Sequence, residues 1–518
     1  MEGMADDDPY LWLEDIAGDE QLDWVRKHND PTIAEFSGEL FEQLRSEALE
    51  VLDTDARIPY VRRRGEYLYN FWRDATNPRG LWRRTTLESY LSEDPEWDVI
   101  IDVDALAAAD GEKWVWAGAD VIEPDLTRAL VSLSPGGSDA AIVREFDMLA
   151  REFVVDGFEL PEAKSRVSWE DVDTLLVGTD FGPDSMTESG YPPRMVKRWR
   201  RGQPLADAET VFTGPVTDVA VGGASVDRTP GYERTHVSRA VDFFNDEVYE
   251  LRSGELIRID APTDAGLTIH REWLLIELRS DWETGTASYR TGSLLAAKYD
   301  EFLAGTAELA VVFEPDERSS LHQYSWTLDR LLLVTLVDVA SRVEIVTPGS
   351  WSREPVAGVE GNTVIVATDD VGDEIFLDSS DFITPSRLLY GKAGAELTEI
   401  KRAPSFFLTP RTWRCPSISP PPMTARRSPP TSSSATSTIR RRARRCWADT
   451  ADSRCLALRV TTECWVGCGC REAVRTCSRT SVAAASTDRA GTRRRCARVG
   501  TRWPRTSPRW QAISSPAG

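Results

Sequence analysis

Cysteine is missing from the first 407 residues of this 518-residue chain, and all eight cysteines fall in the last 111. A segment without cysteine holds neither a disulfide nor a thiolate metal site, so the long N-terminal part is no disulfide-stapled scaffold. Histidine is scarce too. The four, His28, His236, His270 and His322, have no second histidine or cysteine at i+2 to i+4, so they read as solvated or loop residues and no metal or cofactor is expected. No G-x-S-x-G nucleophile elbow occurs anywhere. No apolar run reaches 18 residues and no charged-then-apolar start is present, which argues against a membrane-spanning helix and an export signal; a cytoplasmic protein is expected.

Charge is one-sided in each part. Up to Phe407 there are 39 Lys+Arg against 79 Asp+Glu, a net of -40; from Leu408 onward there are 22 Arg, no Lys and five acids, a net of +17. Strong negative charge in the first part repels nucleic acid and anionic lipid, so neither is expected as a partner. Arg and Cys rising together while Lys disappears is the pattern of a GC-rich gene translated out of frame. Back-translation agrees. Cys446 to Arg454, shifted by one base, is compatible with Leu-Leu-Gly-Gly-Tyr-Gly-Gly-Phe-Glu, and Cys477 to Ala490 with Leu-Leu-Ala-Asn-Ile-Arg-Gly-Gly-Gly-Glu-Tyr-Gly-Pro-Gly. Leu408 to Cys415 shifts to Ser-Asp-Ala-Glu-Asp-Leu-Glu-Val, placing the break at Phe407/Leu408.

Two other readings of the tail stand beside this one. Cys464, Cys468 and Cys470, with Cys455, Cys477 and Cys496, have spacing that a metal could use, and Arg440 to Arg445 is a basic run of the kind that binds nucleic acid. Under the frameshift reading both are accidents, and the tail, rich in Arg, Ser and Pro without a sustained period, is expected to be irregular or disordered.

The first part has more order. Asp30 and Pro31 predict a helix start, and Ile33, Phe36, Leu40, Leu44, Ala48 and Val51 recur every three or four residues, predicting one amphipathic helix of about 20 residues. From Arg57 to Glu399 the pattern becomes short apolar runs between turns: Tyr67 to Trp72, Arg128 to Leu133, Thr174 to Val177, Trp273 to Ile276, Leu331 to Val334 and Thr363 to Val366. Leu130 to Leu175 is 45 residues, Leu175 to Leu274 is 99 and Leu274 to Leu331 is 57, a repeat of about 50 with one unit hidden in the longest gap. That period predicts a seven-bladed β-propeller; a pair of β-sandwiches does not explain the spacing. Ser138, in Ser134-Pro135-Gly136-Gly137-Ser138-Asp139, reads as a turn serine and not as a nucleophile. Trp72, Trp169, Trp273 and Trp326 are expected in the core.

The start, Asp8-Pro9-Tyr10-Leu11-Trp12-Leu13-Glu14 followed by Trp24, Val25 and Asn29, resembles the N-terminal arm of the prolyl oligopeptidase family, and the shifted tail resembles the opening strands of that family's peptidase domain. The resemblance covers about four fifths of the chain. It implies a mainly β fold: an N-terminal helical arm over 1–56, a seven-bladed propeller over 57–400, and in 401–518 an out-of-frame remnant where an α/β-hydrolase domain would start. It implies a serine-type oligopeptidase cleaving short peptides after proline, with the propeller as size filter and peptides as partners. The family's Ser/Asp/His triad lies beyond the break, and no histidine follows His322, so no catalytic residue carries over and this chain is expected to be inactive. A non-catalytic propeller that binds partners is the alternative.

Overall fold

The computed structural model describes residues 9–405, apart from 16–17, 190–191, 286, 360, 370 and 382–383; the tail's cysteines and Arg run therefore lie outside the described residues. The chain divides into two compact units, one of which reaches Asp55 from the N-terminus while the other takes up Ala56–Pro404.

In the first unit the single helix expected from Asp30 onward is instead two. Helix α1 spans Asp19–Phe36, with Pro31 inside it, and α2 spans Glu39–Leu52. Asp30 is thus no cap. The start lies at Gly18, where Asp19 and Glu20 place negative charge against the positive end of the helix dipole. The break falls at Ser37 and Gly38: Ser37 leaves helical geometry and donates its N–H to the Ile33 carbonyl, and Gly38 is extended. Glycine is about 1 kcal/mol worse than alanine inside a helix, which makes it the cheap place to stop. Neither helix contains a buried residue.

The second unit is mainly β. Seven antiparallel sheets, each with a four-stranded path in chain order, occupy residues 62–102, 114–163, 166–213, 220–258, 266–313, 319–355 and 362–402, here blades 1 to 7. Blade 2 adds a fifth strand, Glu159–Ala163, on Ala141–Asp147, and blade 5 inserts a two-stranded hairpin, Trp282–Glu283 with Ser288–Tyr289. Helix is confined among the described residues of this unit to α3 (Leu87–Leu91), α4 (Val103–Asp110), α5 (Tyr299–Leu303) and one 3-10 turn. Thr86 and Asp102 cap α3 and α4 by accepting from Ser89 N and Ala105 N.

All six apolar runs are strands, and five are the second strand of their blade. A second strand is covered on both faces by adjoining blades. Leu175, Leu176 and Val177, Leu274 to Ile276, and Leu331 to Val334 are all at 0% exposure. Full burial of such a side chain contributes about 1.5–3 kcal/mol, so an unbroken apolar run is what this position selects. Thr363 to Val366 is the exception: it belongs to the first strand of blade 7, Asn362–Thr368, and the second is Glu374–Ser380, with Ile375, Phe376 and Leu377 buried. The unit hidden in the 99-residue gap is blade 4, whose second strand, Arg234–Ala240, carries Arg234 and His236 where other blades carry aliphatics.

The ring closes by side chains rather than by a shared strand, since blades 1 and 7 each draw all four strands from their own end of the unit. Ile58, Val61, Leu68 and Tyr90 pack with Phe376 and Leu388 across that seam. Tyr60 donates to the Asp378 carboxylate, and Arg63 Nη1 lies 3.0 Å from Glu374 Oε2.

Candidate functional site: the charged mouth of the propeller

The first strand of each blade is the inner one. First strands meet across blades: Ser168 Oγ donates to the Ala224 carbonyl at 2.5 Å, Gln323 Nε2 to the Ile365 carbonyl at 3.0 Å, and the Ser325 and Thr368 hydroxyls pair at 2.8 Å. The fourth strands Ser352–Pro355 of blade 6 and Glu255–Arg258 of blade 4 hold no buried residue. Because every blade begins inside and makes four antiparallel passes, all inner strands run the same way along the axis. The start of blade 1 and the end of blade 7 then fall on one rim, and Ile58, Val61 and Ala403 do share an apolar cluster there. The opposite rim, where the inner strands end, carries the hairpins from first to second strands and neither end of the unit.

At that far rim five charged residues gather: Arg62, Arg64 and Asp120 on the inner strands of blades 1 and 2, and Glu123 and Arg228 just past the ends of the inner strands of blades 2 and 4. Alternation along Arg62–Arg64 turns Arg63 to Glu374 of blade 7 and Arg64 to blade 2, where its Nη2 reaches the Ala119 carbonyl at 3.5 Å. Arg228 does something less local. Its Nη1 donates to the Glu123 carbonyl at 3.0 Å, joining blades 4 and 2 over blade 3, whose own hairpin is only Val172 and Asp173. Trp169 of blade 3 donates Nε1 to the Asp120 carbonyl at 3.0 Å beneath this bridge.

The electrostatics are strained on both signs. Loss of hydration pushes the Arg64 pKa below its usual value, with Arg62 adding repulsion and Glu123 and Asp120 opposing it. Loss of hydration also lifts the Asp120 pKa, against the pull of Arg64, Arg62 and Arg228. Three guanidinium atoms, Arg64 Nε and Arg228 Nε and Nη2, are shielded from solvent without a hydrogen-bond acceptor.

The residues singled out in the sequence lie elsewhere. Ser138 sits in the turn between two strands of blade 2, with Gly136 and Gly137 at φ 65 and 88, its backbone oxygen accepting from Ser134 Oγ at 2.6 Å and its hydroxyl 3.2 Å from the Ala140 carbonyl. His28 is exposed on α1 and stacks on Trp24 at 3.9 Å; His322 is exposed on the inner strand of blade 6. His270 stacks on Trp326 at 4.7 Å. His236 corrects the expectation of solvated histidines. It is 7% exposed in the middle of a strand, bonded to Tyr299 Oη at 2.9 Å, because blade 5 covers that face of blade 4. Trp169 and Trp326 are buried, and Trp273 is partly buried against the same cluster as Trp326, while Trp72 is half-buried between the guanidinium groups of Arg57 and Arg83. The mouth itself was not singled out from sequence, although Arg62-Arg63-Arg64 in so acidic a segment was a signal that could have found part of it.

Seven four-stranded blades around an axis lined by first strands define a β-propeller. The family described as prolyl oligopeptidase, N-terminal beta-propeller domain, matches residues 1–403. The chain is 36% identical over 416 residues to an uncharacterized peptidase, y4nA, of Sinorhizobium fredii, covering 77% of this chain and 57% of that protein. It is 28% identical over 414 residues to an uncharacterized peptidase of Rickettsia prowazekii, covering 76% and 57%. Among solved structures it is similar to a post-proline cleaving enzyme from Rickettsia typhi, at 27% identity and a TM-score of 0.69 over 76% of this chain and 60% of that one. Oligopeptidase B from Leishmania major shares the fold, with a TM-score of 0.59 at 14% identity over 77% of this chain and 56% of that one. This chain belongs to the prolyl oligopeptidase family, by way of that family's N-terminal propeller. It spans 57% of the length of these curated relatives.

Proposed function

We propose that residues 57–400 are the gating propeller of a cytoplasmic serine oligopeptidase that cleaves short peptides after proline, that 1–56 is its helical arm, and that 401–518 is an out-of-frame remnant of the peptidase domain. The propeller filters substrates by size. The observation that carries this reading is the family match across the whole propeller, joined to an abrupt change of composition at Phe407/Leu408. Serine peptidase chemistry needs nucleophile, base and orienting acid acting as a unit, and loss of one member costs on the order of 10⁴ to 10⁶ in turnover.

The test is enzymatic. The chain as it stands should release no chromophore from a proline-terminated chromogenic peptide above buffer, and a fluorophosphonate probe should label nothing. A gene repaired by one base after the Phe407 codon should gain both activities. Labelling of Ser138 in the unrepaired protein would overturn the reading, and a repaired gene whose product binds peptides without cleaving them would leave a propeller that serves only as a binding module.

A further inference from the structure

The Arg228 guanidinium is anchored by one nitrogen only. Nη1 is held at 3.0 Å by the Glu123 carbonyl, which fixes the plane of the group across the top of blade 3. The two nitrogens with no acceptor, Nε and Nη2, form the side edge of the fork, the edge whose parallel N–H bonds match the two oxygens of a carboxylate. Arg64 adds a third unfilled donor, Nε, from the facing blade. Buried donors are normally satisfied, and three in one cluster of charged side chains mark a place built to receive an acceptor.

The side chains around this edge are exposed. Arg62, Asp120 and Glu123 all reach solvent, so the edge borders the open mouth, although crowding there still costs the Asp120 carboxylate part of its hydration. Asp120 lies within electrostatic reach of Arg64, Arg62 and Arg228, yet among the described residues no hydrogen bond or ion pair joins its carboxylate to any of them. Within this set three guanidiniums face two carboxylates, in a part of the chain whose net charge is -40. An oxyanion is therefore drawn to this spot and repelled by the rest of the surface.

We infer that Arg228 and Arg64 form an oxyanion subsite at the far mouth of the propeller, which takes the free α-carboxylate of a peptide on the side-on fork of Arg228, with Asp120 swinging aside. The inference rests on the gating role proposed above and adds a selection to it: peptides ending in a free carboxylate are captured at the mouth in preference to blocked or internal segments.

The experiment uses the full chain at low ionic strength and isothermal titration with three probes: a short peptide with a free C-terminus, the same peptide as its C-terminal amide, and inorganic phosphate. The carboxylate form should bind about tenfold or more tightly than the amide, the gain expected of a charge-assisted bidentate pair. Arg228→Lys, which keeps the charge and loses the fork, should bring the two forms to equal affinity, as should Arg64→Met. Asp120→Asn should tighten the carboxylate form, an effect that a purely structural role for the cluster would not produce. Phosphate should compete with the carboxylate form in the parent chain and not in Arg228→Lys. Equal affinity of the two peptide forms for the parent chain would overturn the subsite and leave the gating role standing. Phosphate binding that depends on Arg228, with neither peptide bound, would overturn the peptide as ligand and leave the gating role standing. Absence of binding by all three probes would remove the subsite altogether.

Discussion

Phe376, 1% exposed, is the residue on which ring closure turns, because no strand is exchanged between blades 1 and 7 and apolar packing must hold the seam. Phe376→Ala should cost about 3–5 kcal/mol, through lost burial and the cavity left behind. Tyr60→Phe removes the hydroxyl that serves the buried Asp378 carboxylate and should cost roughly 1–3 kcal/mol, since it strands a charged acceptor while keeping the ring. Urea midpoints of the two variants check the order; a Tyr60→Phe loss as large as that of Phe376→Ala would mean that the polar pair and not the packing closes the ring. Nothing in the sequence marks Phe376 as a seam residue. Glu-Ile-Phe-Leu reads as any buried strand, and its partners Ile58 and Leu68 lie about 300 residues away.

Among the elements, the second strand of blade 4 carries a buried histidine, His236, inside a cluster of charged groups. Tyr299 of α5 donates to Glu250 Oε2 at 3.1 Å and lies 2.9 Å from His236 Nε2; Arg252 reaches both Glu250 and Asp300, Arg234 lies 3.6 Å from Asp300, and Asp227 faces the same cluster. Burial pushes the His236 pKa below its ordinary value, more than Glu250 raises it. The unfolded chain then takes up a proton below pH about 6.5 that the folded chain resists, so stability is full above that pH and falls as the pH drops through 6.5 toward the folded value. The urea midpoint should fall between pH 7.5 and 5.5, and His236→Gln should flatten that part of the profile; an unchanged profile in the variant would assign the titration elsewhere. Helices α1 and α2 offer a second test at this scale. Helices of 18 and 14 residues without a buried residue have little beyond intrinsic propensity to hold them, so their amides should exchange with solvent faster than those of the second strands. Exchange across Ile33 to Leu44 as slow as across Leu331 to Val334 would contradict this.

For the whole molecule, the composition change is the feature with consequences in solution. The 22 arginines after Phe407 are each a tryptic site, and a segment that has no sustained period of 2 or 3.6 lacks the means to protect them. Brief trypsin treatment should trim the chain to a product ending near Arg402, measured by intact mass, well before the blades are cut. A tail that survives would point to a folded cysteine-rich domain and to a search for zinc.

What the sequence determined by itself was the architecture, and the reason is period. Each blade needs one strand buried on both faces, so Leu130, Leu175, Leu274 and Leu331 recur at a spacing that only a ring of like sheets explains. The helix break at Ser37-Gly38 was also written in the chain, but the pattern of Ile33, Phe36 and Leu40 runs across it and hides it. Blade 4 was legible only as a gap, since Arg234 and His236 find their partners on blade 5 and look polar until that blade is in place. Of the charged mouth only Arg62-Arg63-Arg64 left a mark in the sequence. Arg64, Asp120 and Arg228 are separated by 56 and 108 residues, and no local pattern encodes that the ends of three inner strands converge. Tertiary structure decided that, because a propeller turns sequence distance into rotation about an axis and brings the same end of every inner strand to one rim.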